Sequence, residues 1–159
     1  SLKSYKVIYM PRMTYKGKYR PKNPQKYKGD PTTIVYRSLW ERNTFRWIDA
    51  NPDIVEWNSE EVVIPYRCAT DKRMHRYFVD VYYKDKTGAT YLVEIKPKKE
   101  TMPPKPASRR SKRYISEAMT YIKNQSKWEA AEEFCANRGW HFVIWHEDVL
   151  KSMGIKILK

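Results

Sequence analysis

Cysteine is scarce in this chain: its 159 residues hold two, Cys68 and Cys135, far apart and outside any C-x-x-C pair. A disulfide framework is thereby excluded, and with no His/Cys cluster nearby the sequence does not point to a zinc site. Two isolated thiols suit a reducing compartment, each in a buried role. Long apolar runs are missing as well, since none approaches the ~18 residues that span a bilayer. No membrane partner is expected. The basic N-terminal stretch lacks the apolar core of a secretion signal, so the expectation is a cytoplasmic protein.

Acidic residues are also few, 18 against 32 Lys and Arg, and their shortage is local. Residues 1–30 carry nine cations against Asp30 alone, and residues 96–113 carry eight against Glu100 alone; the remainder is close to neutral. This is an ordinary folded body with two basic appendages, the charge placement that displaces counterions from phosphates. Tails that merely aid solubility are the bland alternative. Aromatics at 14% and hydrophobics at 41% argue against wholesale disorder. The length supports one buried core, so a single domain with appendages is expected.

Residues 1–32 interleave Lys16, Lys18, Arg20, Lys22, Lys26 and Lys28 with Tyr15, Tyr19 and Tyr27, broken by Pro11, Pro21 and Pro24. That composition predicts an extended arm whose cations meet phosphate and whose rings stack on bases or pack on a protein. Helical spacing runs from Thr33 to Ala50, with Trp40, Thr44, Trp47 and Ile48 on one stripe and Glu41 at its edge; Asn51-Pro52 ends it. Strand-like runs follow at Glu61–Tyr66, His75–Tyr83 and Thr90–Ile95, the last two joined by a tight loop at Asp85-Lys86-Thr87-Gly88. A Pro-rich basic loop occupies 97–113. Helical spacing returns with Ile115, Met119 and Ile122, and Ser126 with Glu129 reads as a capping box for a second helix ending at Gly139. His141–Trp145 is a short apolar strand. The order is helix, three strands, one or two helices, strand.

Chemistry concentrates at the end of the third strand. Alternation points Tyr91, Val93 and Ile95 to one face and Leu92, Glu94 and Lys96 to the other, so an acid and a base stand side by side. Asp80 lies in the preceding strand among Phe78, Val79, Val81 and Tyr82, where an unpaired charge costs several kcal/mol. If the two strands pair through the loop near residue 86, Asp80 comes beside Glu94. Two such carboxylates repel unless a hard cation such as magnesium binds between them. Lys96 is then placed to orient a water or to stabilise charge on phosphate, and Glu41 to complete a metal shell or hold a second ion. An ion pair between surface strands is the structural alternative. His75, His141 and His146 share no ligand spacing and read as structural or DNA-facing. Trp40, Trp47, Trp128 and Trp145 read as core.

Asp80, then Glu94-Ile95-Lys96, with helical Glu41 upstream, resembles the PD-(D/E)xK nuclease superfamily over roughly residues 33–146, especially its TnsA-type branch. The longer runs at 22–31, 36–41, 74–78 and 94–99 look like the head completion nucleases of T-even-type tailed phages. The resemblance implies an α/β (α+β), restriction-endonuclease-like αβββαβ fold, its mixed central sheet flanked by helices, over residues 33–159. It implies a metal-dependent endonuclease that uses Mg2+, with Mn2+ able to substitute, and no small-molecule cofactor besides the metal. Glu41, Asp80 and Glu94 take the metal-binding roles and Lys96 that of the catalytic lysine. Val79 stands where the motif's name has proline, a residue that shapes the strand and not the chemistry. Double-stranded DNA is the implied substrate, contacted by Arg37 and Arg76 near the site, by Lys98, Lys99, Lys105, Arg109, Arg110, Lys112 and Arg113 from the loop, and by the arm cations. Phage portal or neck proteins are the implied partners, met in the host cytoplasm during assembly and at the head–tail neck of the virion. A non-catalytic DNA-binding plug that keeps the nuclease fold is the alternative.

Overall fold

A four-stranded mixed sheet separates two apolar layers in the computed structural model, which describes residues 16–106, 109 and 111–157. The strands are β1 (Gly17–Lys18), β2 (Val35–Tyr36), β3 (Ile54–Asn58), β4 (Val63–Arg67), β5 (Met74–Phe78), β6 (Val81–Asp85), β7 (Thr90–Ile95) and β8 (His141–Trp145). The helices are α1 (Leu39–Ala50), α2 (Lys112–Ala136) and α3 (Glu147–Ser152). Central strand order is β3-β6-β7-β8, with β6 antiparallel to both neighbours and β7 parallel to β8. A parallel pair needs a crossover, which α2 supplies.

The β6–β7 hairpin closes where the sequence placed it. Asp85 Oδ1 accepts from the Thr87 and Ala89 amides at 2.9 and 3.1 Å, and Gly88 takes the positive φ of 92° that the turn requires. Side chains then alternate across β7. Val93 joins Phe45, Ile48, Trp57, Val81, Trp145 and Leu150 beneath α1 and α3, while Leu92 joins Ile64, Tyr77, Trp128, Ala131 and Cys135 between the β4–β5 hairpin and α2. Trp128 and Trp145 are buried as expected; Trp57, fully buried at the centre, lies on a strand the sequence reading had missed.

Three expectations change. The first helix begins at Leu39 and not at Thr33, because the Ser38 hydroxyl accepts the Glu41 amide at 3.1 Å and caps it, while Val35 and Tyr36 pair with β1. The run His75–Tyr83 breaks at Val79–Asp80. Val79 exchanges hydrogen bonds with Val62 and Glu60, both 3.0 Å, so the chain passes there from the β4–β5 hairpin into the central sheet. Of the one or two helices expected after the loop there is one, capped at Ser111; the capping box is what changes, since Ser126 sits mid-helix, where its hydroxyl bonds the Ile122 carbonyl and accepts the Ala69 amide at 3.1 Å. Nothing between Ile122 and Ser126 breaks a helix, so the capping signal there was a helical serine facing a loop.

The described part of the N-terminal segment packs on the body. Tyr27 is buried edge-on against Trp57 at 4.8 Å, and Tyr19 meets Phe45 at 5.7 Å. The Asp49 carboxylate accepts the Lys22 and Asn23 amides. Lys26 Nζ donates to the carbonyls of Ile48, Asp49 and Asn51 at 3.2, 2.8 and 2.8 Å, filling all three donors at the C-terminal end of α1. Residues 1–15, somewhat less than half of the expected arm, lie outside the described residues.

Candidate active site

Asp80 sits at the lapse between β5 and β6, one residue before the ladder resumes with Val81 opposite Val93. Its Oδ2 accepts the Ile95 amide at 2.8 Å, so the carboxylate is fixed by the backbone of the strand that carries Glu94 and Lys96. Glu94 is 6% exposed; its Oε2 accepts the Tyr77 hydroxyl and its Oε1 lies 3.6 Å from Lys96 Nζ. Glu41 reaches the same region from the first turn of α1, half-buried, with Ser38 Oγ 3.4 Å from its Oε2.

Mutual repulsion marks these groups as one cluster. Burial, then the charges of Glu94 and Glu41, push the Asp80 carboxyl well above the usual range. Burial and the neighbouring Glu60 push Glu41 up against the opposing effects of the Arg37 amide and guanidinium. Carboxylates so placed are short of positive charge, and an all-oxygen donor set suits a hard divalent cation. Among the described residues, the trio of potential ligands whose donor atoms all lie within 4.8 Å of one another is elsewhere, at Cys68, Asp71 and His75. Glu41, Asp80 and Glu94 are therefore spread wider as a set of three.

Two further residues belong to this neighbourhood and escaped the sequence reading. Glu60 stands in the left-handed region at φ 57° and binds Arg37 Nη1 at 2.5 Å, while Arg37 also feels Glu41 and Asp80. A strained non-glycine backbone beside a charge cluster is a mark of functional constraint, visible only in coordinates. Lys127 projects from α2 with Nζ 5.5 Å from the Tyr77 ring, whose hydroxyl holds Glu94. Burial lowers its pKa, against the pull of Glu94 and Asp80, and it is half-buried. Its position within an unremarkable Lys-Asn-Gln-Ser-Lys stretch gave no signal.

The expected DNA contacts divide by how their charges are engaged. Arg76 is exposed over the Phe78 ring at 5.5 Å, and Lys99, Lys105, Arg109 and Lys112 are exposed; Lys99 and Arg113 line a cleft of about 360 Å³ between the 97–105 stretch and α2. Lys98 pairs with Asp148 at 3.3 Å and Arg113 with Glu117 at 3.0 Å. Lys16, Lys18, Arg20 and Lys22 are exposed, and Lys28, also exposed, pairs with Glu56 at 3.8 Å. Lys26 departs from expectation, because the three carbonyls leave its amine no donor for phosphate. Arg110 lies outside the described residues. His141 packs on Tyr91 at 5.0 Å and His146 caps α3, which are structural tasks.

Residues 51–147 match the family model described as TnsA-like endonuclease N terminal. The chain is also 47% identical, over 148 residues, to the head completion nuclease of Enterobacteria phage T4, an alignment covering 91% of this chain and 99% of that protein.

Proposed function

The chain belongs to the TnsA-like endonuclease family and is a nuclease, and we propose that it hydrolyses phosphodiester bonds of double-stranded DNA with magnesium at Asp80 and Glu94. The observation that carries this reading is the pairing of Asp80, fixed on the Ile95 amide, with Glu94 one residue away on the same strand, Lys96 alongside. The burial of Asp80 and the repulsion it feels from Glu94 are what a hard cation relieves. When bound, such a cation polarises the scissile phosphate and acidifies a water.

The chain's own groups supply the rest. Tyr77 holds Glu94 by one oxygen, leaving the other toward Lys96. Lys96 donates to the negative charge that builds on the phosphate as the bond breaks. Lys127, entering from α2, neutralises the phosphate from a second direction. Glu41 and Glu60 extend the acidic lining, and Arg37, held by Glu60, stands where it can exchange that partner for a DNA phosphate. The exposed cations of 97–113 grip the duplex without reading sequence.

By its likeness to the T4 protein, the setting we propose is phage head completion: trimming or cutting DNA at the ends of the packaged genome, near portal or neck proteins, in the host cytoplasm before the particle is finished. The test is supercoiled plasmid incubated with pure protein and magnesium, calcium or chelator. Nicked or linear product is expected with magnesium alone and is expected to vanish for Asp80→Asn. Cleavage that persists in chelator, or in that variant, overturns the assignment; binding without any cleavage leaves the DNA-holding plug in its place.

A further inference from the structure

The β4–β5 hairpin ends in a cluster that the nuclease chemistry does not use. Cys68, Asp71 and His75 present a thiol sulfur, a carboxylate oxygen and an imidazole nitrogen, all within 4.8 Å of one another. Their spacing, Cys-x2-Asp-x3-His, contains no Cys pair and so escapes a search for zinc motifs. The fold does the gathering. Cys68 closes β4 with its amide on the Arg73 carbonyl at 2.9 Å, and its own carbonyl accepts the Lys72 amide at 2.7 Å. Lys72 takes φ 59°, the left-handed conformation that reverses the chain. Asp71 Oδ1 is anchored on the Arg73 amide at 2.9 Å, which leaves Oδ2 to meet His75 Nε2 at 2.7 Å. His75 is steadied by stacking on Tyr66 at 5.7 Å, and the loop is pinned to α2 through Ala69 and Ser126.

We infer that Cys68, Asp71 and His75 form a binding site for a zinc-class divalent ion. One soft sulfur, one borderline nitrogen and one oxygen make a donor set that suits zinc and not magnesium, with the fourth tetrahedral position left to water on the exposed side of the loop. Cys68 is 1% exposed and reaches the ion from beneath, whereas Asp71 and His75 approach from the surface. Binding releases one thiol proton to solvent, draws the Cys68 sulfur from its 3.0 Å contact with the Thr70 hydroxyl, and replaces the Asp71–His75 hydrogen bond by two metal bonds. The consequence is mechanical: the ion clasps the loop end of the hairpin whose second strand delivers Tyr77 to Glu94 and leads into Asp80. Its donors are separate from the acidic cluster, so the site stands or falls independently of the magnesium reading.

Cobalt(II) titration of the full, chelator-treated chain tests this, because only a bound thiolate gives sulfur-to-cobalt charge-transfer absorption. One equivalent of cobalt is expected to bind with that band and with the visible bands of tetrahedral coordination, and zinc is expected to displace it. Cys68→Ser is expected to abolish the band, Cys135→Ser to leave it unchanged, and His75→Gln to weaken cobalt binding at least about tenfold. Absence of charge transfer in the unsubstituted chain overturns the site. So does a band that survives Cys68→Ser or disappears with Cys135→Ser. Should Cys68→Ser fail to fold, the partly exposed His75 carries the test alone, and unchanged cobalt affinity in His75→Gln overturns the proposal.

Discussion

Replacing Tyr77 by phenylalanine isolates one atom's contribution to the candidate site. The ring is buried among Ile64, Tyr66, Cys68 and Val79, and its packing, including the Lys127 contact, survives the change. What is lost is the hydroxyl that donates to Glu94 Oε2. Glu94 is nearly inaccessible, so water does not readily take over, and Lys96 at 3.6 Å already serves the other oxygen. A hydrogen bond to a buried charged acceptor is worth about 1.5–3 kcal/mol. Metal-free Tyr77→Phe is therefore expected to unfold in urea with about 2 kcal/mol less stability, which at a slope of roughly 2 kcal/mol/M moves the midpoint down by about 1 M. Magnesium that binds only the folded form adds stability through its free-energy linkage. Since the cation compensates the same carboxylate, saturating magnesium is expected to stabilise the variant more than the unsubstituted protein. Paired urea titrations in chelator and in magnesium measure both numbers. A midpoint within about 0.2 M of the unsubstituted protein in chelator, or an equal gain from magnesium in both proteins, refutes the claim that the Tyr77 hydroxyl stabilises the Glu94 carboxylate in the cation's absence.

Loss of Lys96, as Lys96→Ala, is expected to cost roughly 10²–10³ in single-turnover cleavage with DNA affinity little changed, measured by quench kinetics beside a filter-binding isotherm. Lys127→Ala is expected to lose about 10- to 100-fold, the equivalent of one charge-assisted hydrogen bond, with Lys127→Arg partly restoring it; equal activity removes Lys127 from the site. Asp80 and Glu41 hold protons more tightly folded than unfolded, so their contribution to metal-free stability is greatest below the ordinary carboxylate range near 4 and declines as pH rises through their elevated values. Thermal melts in chelator at pH 5 and pH 7.5 are expected to show that decline, and Asp80→Asn to flatten it; a steeper slope in the variant contradicts the shared-charge picture. DNA affinity is expected to fall with salt by about 0.9 log units per contacted phosphate per decade, and a flat dependence removes the electrostatic grip.

The core of the site was legible because its geometry is local. Glu94 and Lys96 share a strand, so alternation alone put them on one face, and the Asp85–Gly88 turn fixed the β6–β7 register that brings Asp80 to Ile95. The strand break at Val79–Asp80 was not legible, because it depends on distant backbone partners at Glu60 and Val62. Lys127 and Glu60 were hidden for the same reason: long-range packing alone brings a helix lysine over Tyr77 and a loop glutamate to Arg37. The Ser126 capping box misled because a serine three residues before a glutamate means one thing at a helix start and another in its middle. Ile115, Met119 and Ile122 do lie at helical spacing, yet they are 40–50% exposed on the first half of α2, whose buried residues, Asn124, Trp128, Ala131 and Cys135, all come later.

The grip of Lys26 on the end of α1 bears on how deletions are to be interpreted. Removing the cationic leader up to residue 28 takes away positive charge, but it also strips the amine that closes three carbonyls, the two amides on Asp49 and the Tyr27 ring wedged beneath Trp57. The helix thereby unmoored is the one that presents Glu41. An inactive truncation would thus report a slackened scaffold as readily as a lost grip on nucleic acid, and only point reversals of outward-facing lysines such as Lys18 separate the two.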